Sequence, residues 1–444
     1  MKEKKWFLPL SSIAHEHLFE HIGEEPVVFM IAPAFVNMTE RMDIVTQRLG
    51  WPVVWISKHV RGLMKTHDGR LICSIDTAVR ALAKRKTLNE ALFLTVHAAA
   101  SFECLFKLQE TVPGAKLVSY AYDWMHLFVP REKRHMWASY DPKGVGWPEA
   151  EYDAIEGVIA GTLADGVMYK DSGHKFSMLA GCKSPTLWSP NTLPIRLAQP
   201  LPDPNVPNRA VYIGTIVSEK THRREHRIFE DIFMEEIFDS VSRQGMQVDA
   251  YSLVPAPEVI AAYNERFPTG RAKLYQGKLL GQLLPILKQR YRWGWMLYYH
   301  ECEMIMRHIE ITIPSKIFTY IMLGTPILLS EEFEACAHII REYNCGVVLS
   351  RKDIDENLFK RLEEHDYALL LEGIARAQKE LCLERFSEDF CKFLEKVKEA
   401  PRAKSTPNAV VRPIRVRQHK GARAKHWPFK SAARIRGTSK HRGR

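Results

Sequence analysis

The sequence predicts an α/β protein with two Rossmann-like domains facing each other across a cleft, followed by a basic tail that we expect to be disordered. Three observations lead to this prediction. Short apolar runs alternate with amphipathic stretches in the first part of the chain, a pattern typical of strand-helix-strand units around a parallel sheet. A proline-rich stretch interrupts this alternation, which then restarts. With 444 residues the chain is also long enough for two domains.

The first predicted domain, residues 1–195, contains five apolar runs that we interpret as strands. These runs lie at 26–32, 52–56, 91–96, 116–121 and 165–169. Amphipathic stretches between them predict helices at 40–49, 75–83 and 102–111.

The stretch at 196–208 is predicted to be an interdomain linker. It carries prolines at positions 200, 202, 204 and 207. Neither a helix interior nor a central strand tolerates so many prolines, because each lacks a backbone N–H.

The second predicted domain covers residues 209–380 and is followed by a closing helix at 381–400. Its strands are expected at 210–213, 247–252, 273–275, 293–298 and 346–349, with helices at 227–244, 257–266 and 279–290. A helical stretch is predicted over 367–398. Ligands of such sheets bind at the carboxyl ends of the strands, so the cleft is the expected site.

The positive charge of the chain is concentrated in its last 44 residues. The net charge is +11, whereas residues 401–444 contain 14 lysines and arginines and no acidic residue, leaving 11 − 14 = −3 for the rest.

The apolar runs predict a cytoplasmic protein. No run reaches the roughly 18 residues of a membrane span, and the apolar stretch near the N-terminus is short for a signal peptide. Eight cysteines are scattered singly, so we expect reduced and mostly buried thiols.

Residues 311–330, ITIPSKIFTYIMLGTPILLS, predict a loop, a helix of about two turns and a buried strand. Pro314 suits the first turn, and Gly324 suits the C-terminal cap. Lys316 is unfavourable at a helix start, because a cation there opposes the helix dipole. A bound phosphate would remove this conflict. The alternative is a solvated surface lysine.

The loop that follows the strand at 210–213 offers a second candidate for the same cleft. The strand ends at Gly214, where a ligand can approach the backbone, and Lys220 follows. An ordinary strand-to-helix turn is the alternative.

Two segments resemble those of GT-B glycosyltransferases. YIGTIVSEK, residues 212–220, resembles the strand-Gly-Arg-x(4)-Lys element that opens their C-terminal domain. PSKIFTYIMLGTPILLS, residues 314–330, resembles their P-x-K-x-x-E-Y-x-x-x-G-x-P-V segment. The resemblance spans about residues 205–350, and 165–191 is similar to the end of the family's first domain.

The resemblance implies a nucleotide-sugar donor, expected to be a UDP-sugar, with no further cofactor. The donor-binding residues would be Gly214, Lys220, Pro314, Ser315, Lys316 and Thr319. Two positions depart from the family pattern. Thr215 stands where an arginine is common, and Thr319 replaces a glutamate that contacts the ribose in relatives.

Candidates for catalysis and acceptor binding come from the first domain. Asp123 and His97 each follow a predicted strand and could take the acceptor proton. Their alternatives are a helix N-cap and a buried structural histidine. Asn37, Arg41 and His126 are acceptor-side candidates, and Arg41 could instead be a solvated helix residue. We identify no Asp-x-Asp motif of the metal-dependent kind and expect no metal.

The basic tail, residues 401–444, is predicted to bind a polyanion. Either an acidic membrane surface or a nucleic acid would attract its cations. The alternative is a solvated extension that has no binding partner. Three functions therefore remain open. The first is a glycosyltransferase acting on a cell-envelope glycan or glycolipid at the inner face of the membrane. The others are a glycosyltransferase acting on a modified base in DNA and a catalytically silent GT-B-like binding protein.

Overall fold

The computed structural model describes a large part of the chain, and all described residues lie in one compact unit, Met1–Ala403. The described residues are 6–8, 18, 20, 27–31, 36–57, 60, 62–65, 70–83, 91–96, 114–121, 164–171, 184–214, 234–252, 257–266, 271–298 and 303–400. The predicted helix at 102–111, the first part of that at 227–244 and the basic tail lie outside this set.

The first half of the chain forms a nine-stranded sheet within the described residues. Its strands are β1 (Trp6–Leu8), β2 (Val28–Ile31), β3 (Val53–Ile56), β4 (Leu63–Lys65), β5 (Leu71–Cys73), β6 (Leu92–Val96), β7 (Lys116–Ala121), β8 (Gly166–Tyr169) and β9 (Thr186–Trp188). Their order is β1-β4-β5-β3-β2-β6-β7-β8-β9. The pairs β1–β4 and β4–β5 are antiparallel, and the other pairs are parallel.

All five predicted strands of this sheet are present. Four strands were missed, namely β1, β4, β5 and β9, and each is only three residues long. Such short segments show too few alternations for a period of two to be recognised.

The second half forms a six-stranded parallel sheet from its described residues. Its strands are β10 (Arg209–Ile213), β11 (Gln247–Ser252), β12 (Ala272–Gln276), β13 (Trp293–Met296), β14 (Ile327–Ser330) and β15 (Gly346–Leu349). Their order is β12-β11-β10-β13-β14-β15, and each neighbouring pair is parallel. The chain therefore winds outward in both directions from the pair β10–β13.

Eleven described helices accompany the two sheets. They are α1 (Val36–Leu49), α2 (Ile75–Ala83), α3 (Met234–Arg243), α4 (Pro257–Arg266), α5 (Leu280–Leu287), α6 (Glu303–Ile311), α7 (Ser315–Leu323), α8 (Glu334–Tyr343), α9 (Leu358–Glu363), α10 (Tyr367–Glu380) and α11 (Leu383–Glu399). Within the residues that the structure describes, no helix combines the length and the apolarity needed to cross a bilayer.

The helical stretch predicted over 367–398 is broken into α10 and α11. Cys382 has an extended backbone at the break, and the N–H of Leu383 donates to the carbonyl of Leu193 at 2.9 Å. The break sends α11 back to the first sheet, a long-range effect that helical periodicity does not encode.

Helix α11 completes the core of the first sheet. Its buried residues Phe390, Phe393, Leu394 and Val397 share a cluster with residues of β2, β6, β7 and β8. Gly166 in β8 makes room for them, since a Cβ there would lie 2.5 Å from Val397 Cγ2 and 2.8 Å from Phe393 Cζ. The end of the described chain thus stabilises its beginning.

The proline-rich linker packs against the second half of the chain. The N–H of Gln199 donates to the carbonyl of Met322 at 2.7 Å, and Arg292 Nη1 donates to the carbonyl of Pro204 at 2.6 Å. Gly324 has the left-handed conformation expected of a helix C-cap, with φ of 81°. The linker lies close to it, since a Cβ there would be 3.1 Å from the Pro200 oxygen.

The described cysteines are buried, as predicted. Cys73, Cys336, Cys345, Cys382 and Cys391 are buried and form no disulfide with one another. Burial raises the pKa of the Cys345 thiol to about 12, so it stays protonated at neutral pH. The other three cysteines lie outside the described residues.

Replacing Phe393 by alanine should destabilise the protein by about 3–5 kcal/mol, because it removes a buried ring between α11 and the first sheet. Urea unfolding followed by circular dichroism measures this change. Leu369→Ala on α10 is the control, since that side chain is 51% exposed and its loss should cost less than about 0.5 kcal/mol. Equal effects of the two substitutions would contradict the packing described for α11.

Candidate functional site

The topology of the second sheet places a candidate site at the ends of β10 and β13. These neighbouring strands are the point from which the chain winds outward on both sides. In open parallel sheets the loops that follow such a strand pair diverge and leave a crevice for ligands. Gly214 directly follows β10, and Tyr298 lies two residues beyond β13.

Lys316 lies at this crevice and is held by two tyrosines. Its Nζ donates to Tyr212 Oη at 3.1 Å and to Tyr298 Oη. The same Nζ lies 4.9 Å from the ring centroid of Tyr212 and 5.0 Å from that of Tyr298. Ring faces attract a cation, so the two tyrosine rings offset part of the unfavourable interaction between the Lys316 charge and the helix dipole. A solvated surface lysine therefore does not describe this half-buried residue.

Gly214 leaves room for the Lys316 side chain. A Cβ at position 214 would lie 2.5 Å from Lys316 Cε and 2.6 Å from Tyr212 Oη. The fold thus brings together two candidates separated by about a hundred residues in the chain. Their role in binding a donor stays a prediction.

The start of α7 lies at the same crevice and has no side-chain cap among the described residues. Pro314 is the N-cap residue in an extended conformation. Ser315 is exposed at the first helical position. The backbone N–H groups of a first helical turn carry the positive end of the helix dipole, and here that of Ile317 also donates to the Pro314 carbonyl at 3.2 Å. Together with the Lys316 ammonium they form a positive end that suits an anion.

Thr319 does not present a family-like carboxylate to this site. It is 4% exposed, and its Oγ1 donates back to the carbonyl of Ser315 at 3.2 Å. The short hydroxyl side chain is thus directed to the helix backbone. Thr319 as a donor-binding residue remains a prediction.

Tyr320 ties α7 to both strands of the crevice. Its Oη accepts the N–H of Ile213 at the end of β10, at 3.1 Å. Its ring lies over β13, since a Cβ at Gly294 would be 2.5 Å from Tyr320 Cγ. Sequence reasoning missed Tyr212, Tyr298 and Tyr320. The available signal was weak, namely a tyrosine with a polar tip within each apolar segment.

An acidic cleft of about 690 Å³ lies between α6, α8 and the loop that precedes α8. It is lined by Met306, Glu310, Glu331, Glu332, Glu334, Ala337 and Arg341. Burial raises the pKa of the Glu332 carboxyl above its usual range, and the nearby charge of Glu331 also raises it. Carboxylates in this position can accept hydrogen bonds from hydroxyl groups.

Arg41 lies on α1 and is buried. It is 1% exposed, so the alternative of a solvated helix residue is wrong. Its Nη1 donates to Tyr120 Oη at 3.2 Å, and its Nη2 donates to the carbonyls of Ser189, at 3.3 Å, and Pro190. Burial raises the pKa of Tyr120, and its Oη lies 2.8 Å from Asn191 Oδ1. Arg41 therefore holds the loop after β9, and its role on the acceptor side stays a prediction.

Several predicted site residues lie outside the described part of the chain. Asn37 belongs to α1, but its side chain is outside the described residues. His97, Asp123, His126 and Lys220 lie wholly outside them, as does Thr215.

The chain contains an Asp-x-Asp sequence at Asp353 and Asp355, and neighbouring side chains bind both carboxylates. Asp353 Oδ2 accepts from Ser350 Oγ at 2.7 Å, and Asp355 accepts from Ser240 Oγ at 3.0 Å and from Arg351 Nε at 2.6 Å. Asp353 thus binds within the segment that precedes α9, and Asp355 connects that segment to α3. Independence from metal remains a prediction.

Comparison with solved structures identifies the fold. Sucrose-phosphate synthase from Thermosynechococcus elongatus superposes with a TM-score of 0.59 at 11% identity, covering 84% of this chain and 99% of that one. HepE from Anabaena, in complex with UDP and glucose, gives 0.54 at 9% identity, covering 83% and 99%. A variant of S. aureus TarM, with fondaparinux, alpha-GlcNAc-glycerol and UDP, gives 0.50 at 11% identity, covering 77% of this chain and 62% of TarM.

The chain has the GT-B glycosyltransferase fold, with two predominantly parallel, Rossmann-like sheets, as the sequence predicted. No family model matches the chain, and no curated protein matches it in sequence. Since the chain spans 62% of the length of TarM and identities are 9–11%, the likeness concerns the fold alone.

Replacing Tyr320 by phenylalanine should destabilise the protein by about 1–3 kcal/mol, because it leaves the buried N–H of Ile213 without its acceptor. Urea unfolding measures the loss, and amide exchange at Ile213 should become faster. Tyr275→Phe is the control, since Tyr275 is 36% exposed. An unchanged unfolding free energy in Tyr320→Phe would show that α7 is not tied to β10 in this way.

Proposed function

We propose that the chain is a glycosyltransferase that moves a sugar from a nucleotide diphosphate sugar to an acceptor hydroxyl. One observation carries this proposal. The N-terminus of α7, which no described side chain caps, and the Lys316 ammonium converge beside Gly214 at the ends of β10 and β13. A diphosphate is the group in such a donor that this positive end of a helix suits best.

The site suits the departure of a nucleoside diphosphate. In the transfer, the acceptor oxygen bonds to the anomeric carbon while the bond from that carbon to the diphosphate oxygen breaks. Negative charge then develops on the diphosphate. Lys316 and the first-turn N–H groups are preorganised to stabilise this charge, because the two tyrosines and Gly214 already hold the ammonium in place.

The acceptor proton needs a base, and we assign it to Asp123 or His97 in the first domain. A side chain at the carboxyl end of a strand in the first sheet would lie across the interdomain cleft from the donor site at β10 and β13. We further propose that the fixed cations, with Lys220, replace a metal ion.

A UDP-sugar is the proposed donor. HepE and TarM, which share the fold, have been solved with UDP, and HepE also with UDP-glucose at a TM-score of 0.50. Thr319 stands where relatives have a glutamate that contacts the ribose, so other groups would have to make the ribose contacts here. The alternative is that the chain binds a nucleotide sugar without transferring it.

For the acceptor, we propose a cell-envelope glycan or glycolipid at an acidic membrane surface. The 14 cations of residues 401–444 support this proposal, because each lysine or arginine near an anionic leaflet adds about 1 kcal/mol of attraction. The second candidate is a modified base in DNA. It is favoured by the glycine-interspersed arginines of the tail, a composition that also neutralises phosphates.

Replacing Lys316 by methionine should weaken UDP binding by about 10- to 100-fold, the equivalent of a charged hydrogen bond worth about 1.5–3 kcal/mol. Methionine keeps the apolar stem between the tyrosine rings and removes the charge. A thermal-shift titration with UDP measures the effect, because a ligand of the folded state raises the melting temperature. Lys288→Met, at an exposed lysine, should bind like the wild type.

Two outcomes would count against the proposal. If Lys316→Met and the wild type bound UDP equally well, the diphosphate would not lie at α7. If UDP-, GDP- and CMP-sugars all failed to raise the melting temperature of the wild type, the result would favour the alternative of a catalytically silent GT-B-like protein.

Truncation after Ala400 should abolish attraction to the acceptor surface while leaving UDP affinity unchanged. Binding of the full chain and of the truncated chain to anionic vesicles and to duplex DNA is compared over a range of salt concentrations. Tail-dependent, salt-sensitive binding to vesicles that exceeds binding to DNA supports the envelope acceptor. The reverse order supports the DNA acceptor, because log affinity falls steeply with log salt when phosphates are neutralised.

A further inference from the structure

A buried ion pair connects the first sheet to the candidate donor site. Lys170 and Asp171 directly follow β8, and their side chains are 3% and 8% exposed. Lys170 Nζ lies 3.2 Å from Asp171 Oδ1. Buried charges of this kind require partners with good geometry.

The partners come from the segment that leads into α7. Asp171 Oδ1 accepts a hydrogen bond from Thr312 Oγ1 and another from the N–H of Ile313, each at 3.1 Å. Lys170 Nζ donates to Thr312 Oγ1, also at 3.1 Å. Lys170 and Asp171, at the end of β8 in the first sheet, therefore bind the Thr312 side chain and the Ile313 backbone. That segment belongs to the second half of the chain.

The held segment determines where α7 begins. Ile313 precedes Pro314, the N-cap residue, which has no N–H of its own. The N–H that Asp171 accepts is therefore the last backbone donor before the first turn, three residues from Lys316. The opposite end of α7 is also held, since its Met322 carbonyl accepts from the N–H of Gln199.

A carboxylate suits this connection better than an apolar contact would. It accepts several directional hydrogen bonds at once, so it restrains the orientation of Thr312 and Ile313 as well as their distance. Lys170 balances its charge within the same buried cluster. The Thr312 carbonyl is engaged too, because Cys336 Sγ donates to it at 3.5 Å.

We propose that Lys170 and Asp171 are positioning residues for sugar transfer. Through Thr312 and Ile313 they fix the N-terminus of α7, and with it Lys316, relative to the sheet that supplies the acceptor side. This inference rests on the proposed function. Transfer requires the acceptor oxygen, the anomeric carbon and the leaving oxygen in line, and a displacement of about 1 Å can lower a rate about 100-fold.

Two variants test the connection, and a third serves as the matched control. Asp171→Asn removes the charge that balances Lys170, and Thr312→Val removes the bridging hydroxyl with little change in shape. Asp165→Asn is the control. Asp165 is also a buried carboxylate that accepts a backbone N–H, that of Leu117 at 2.8 Å, but it lies before β8, at the other end of the strand.

In the full chain, Asp171→Asn and Thr312→Val should lower kcat/KM for the donor by about 10- to 100-fold and raise the Kd for UDP. Asp165→Asn should also lower stability, but it should leave kcat/KM for the donor and the Kd for UDP of the folded protein unchanged. Unchanged donor constants in the two test variants, with UDP bound by the wild type, would overturn the inference. So would equal losses in Asp165→Asn.

Amide exchange without nucleotide separates this inference from the proposed function. The peptide that contains Ile313 should exchange faster in Asp171→Asn and Thr312→Val than in the wild type or in Asp165→Asn. If the wild type binds no nucleotide sugar, the proposed function fails, and selective exchange still supports the connection between the sheets. Equal exchange in all four proteins removes that connection.

Discussion

A helix start without a side-chain cap must be held in place by other contacts, and this constraint organises the described structure around α7. Among the described residues no side chain caps this helix, and its first turn carries the cation Lys316. Both features raise the energy of an isolated helix. Contacts at several points offset this cost. Tyr320 ties the helix to β10, and the linker holds its last turn.

The surroundings of Lys316 follow from the same constraint. An ammonium taken partly out of water needs acceptors and a favourable electrostatic surface. Tyr212 and Tyr298 supply both, because each offers a phenol oxygen and a ring face. Gly214 supplies the space, since any larger residue would meet the lysine stem. A cationic group is thus preorganised at the crevice, which is the state that electrostatic stabilisation of a leaving diphosphate requires.

The two halves of the chain are interleaved. Helix α11 follows the second sheet in the chain but packs with the first, and the linker packs on the second. The ion pair of Lys170 and Asp171 adds a directional contact between the two. Changes in either half can therefore reach the start of α7, which links stability of the first sheet to geometry at the proposed donor site.

The sequence by itself determined the α/β class, most strands of both sheets, and the helix and strand of residues 311–330, because periodicity, glycine and proline act locally. It also singled out Lys316 through a local conflict with the helix dipole. Tertiary structure alone decided the partners of that lysine, the burial of Arg41 and the break before α11. The lysine's partner Tyr212 is 104 residues away, and the hydroxyl of Thr312 meets Asp171 across 141 residues. Such contacts depend on strand order and on packing between sheets, which no local pattern specifies.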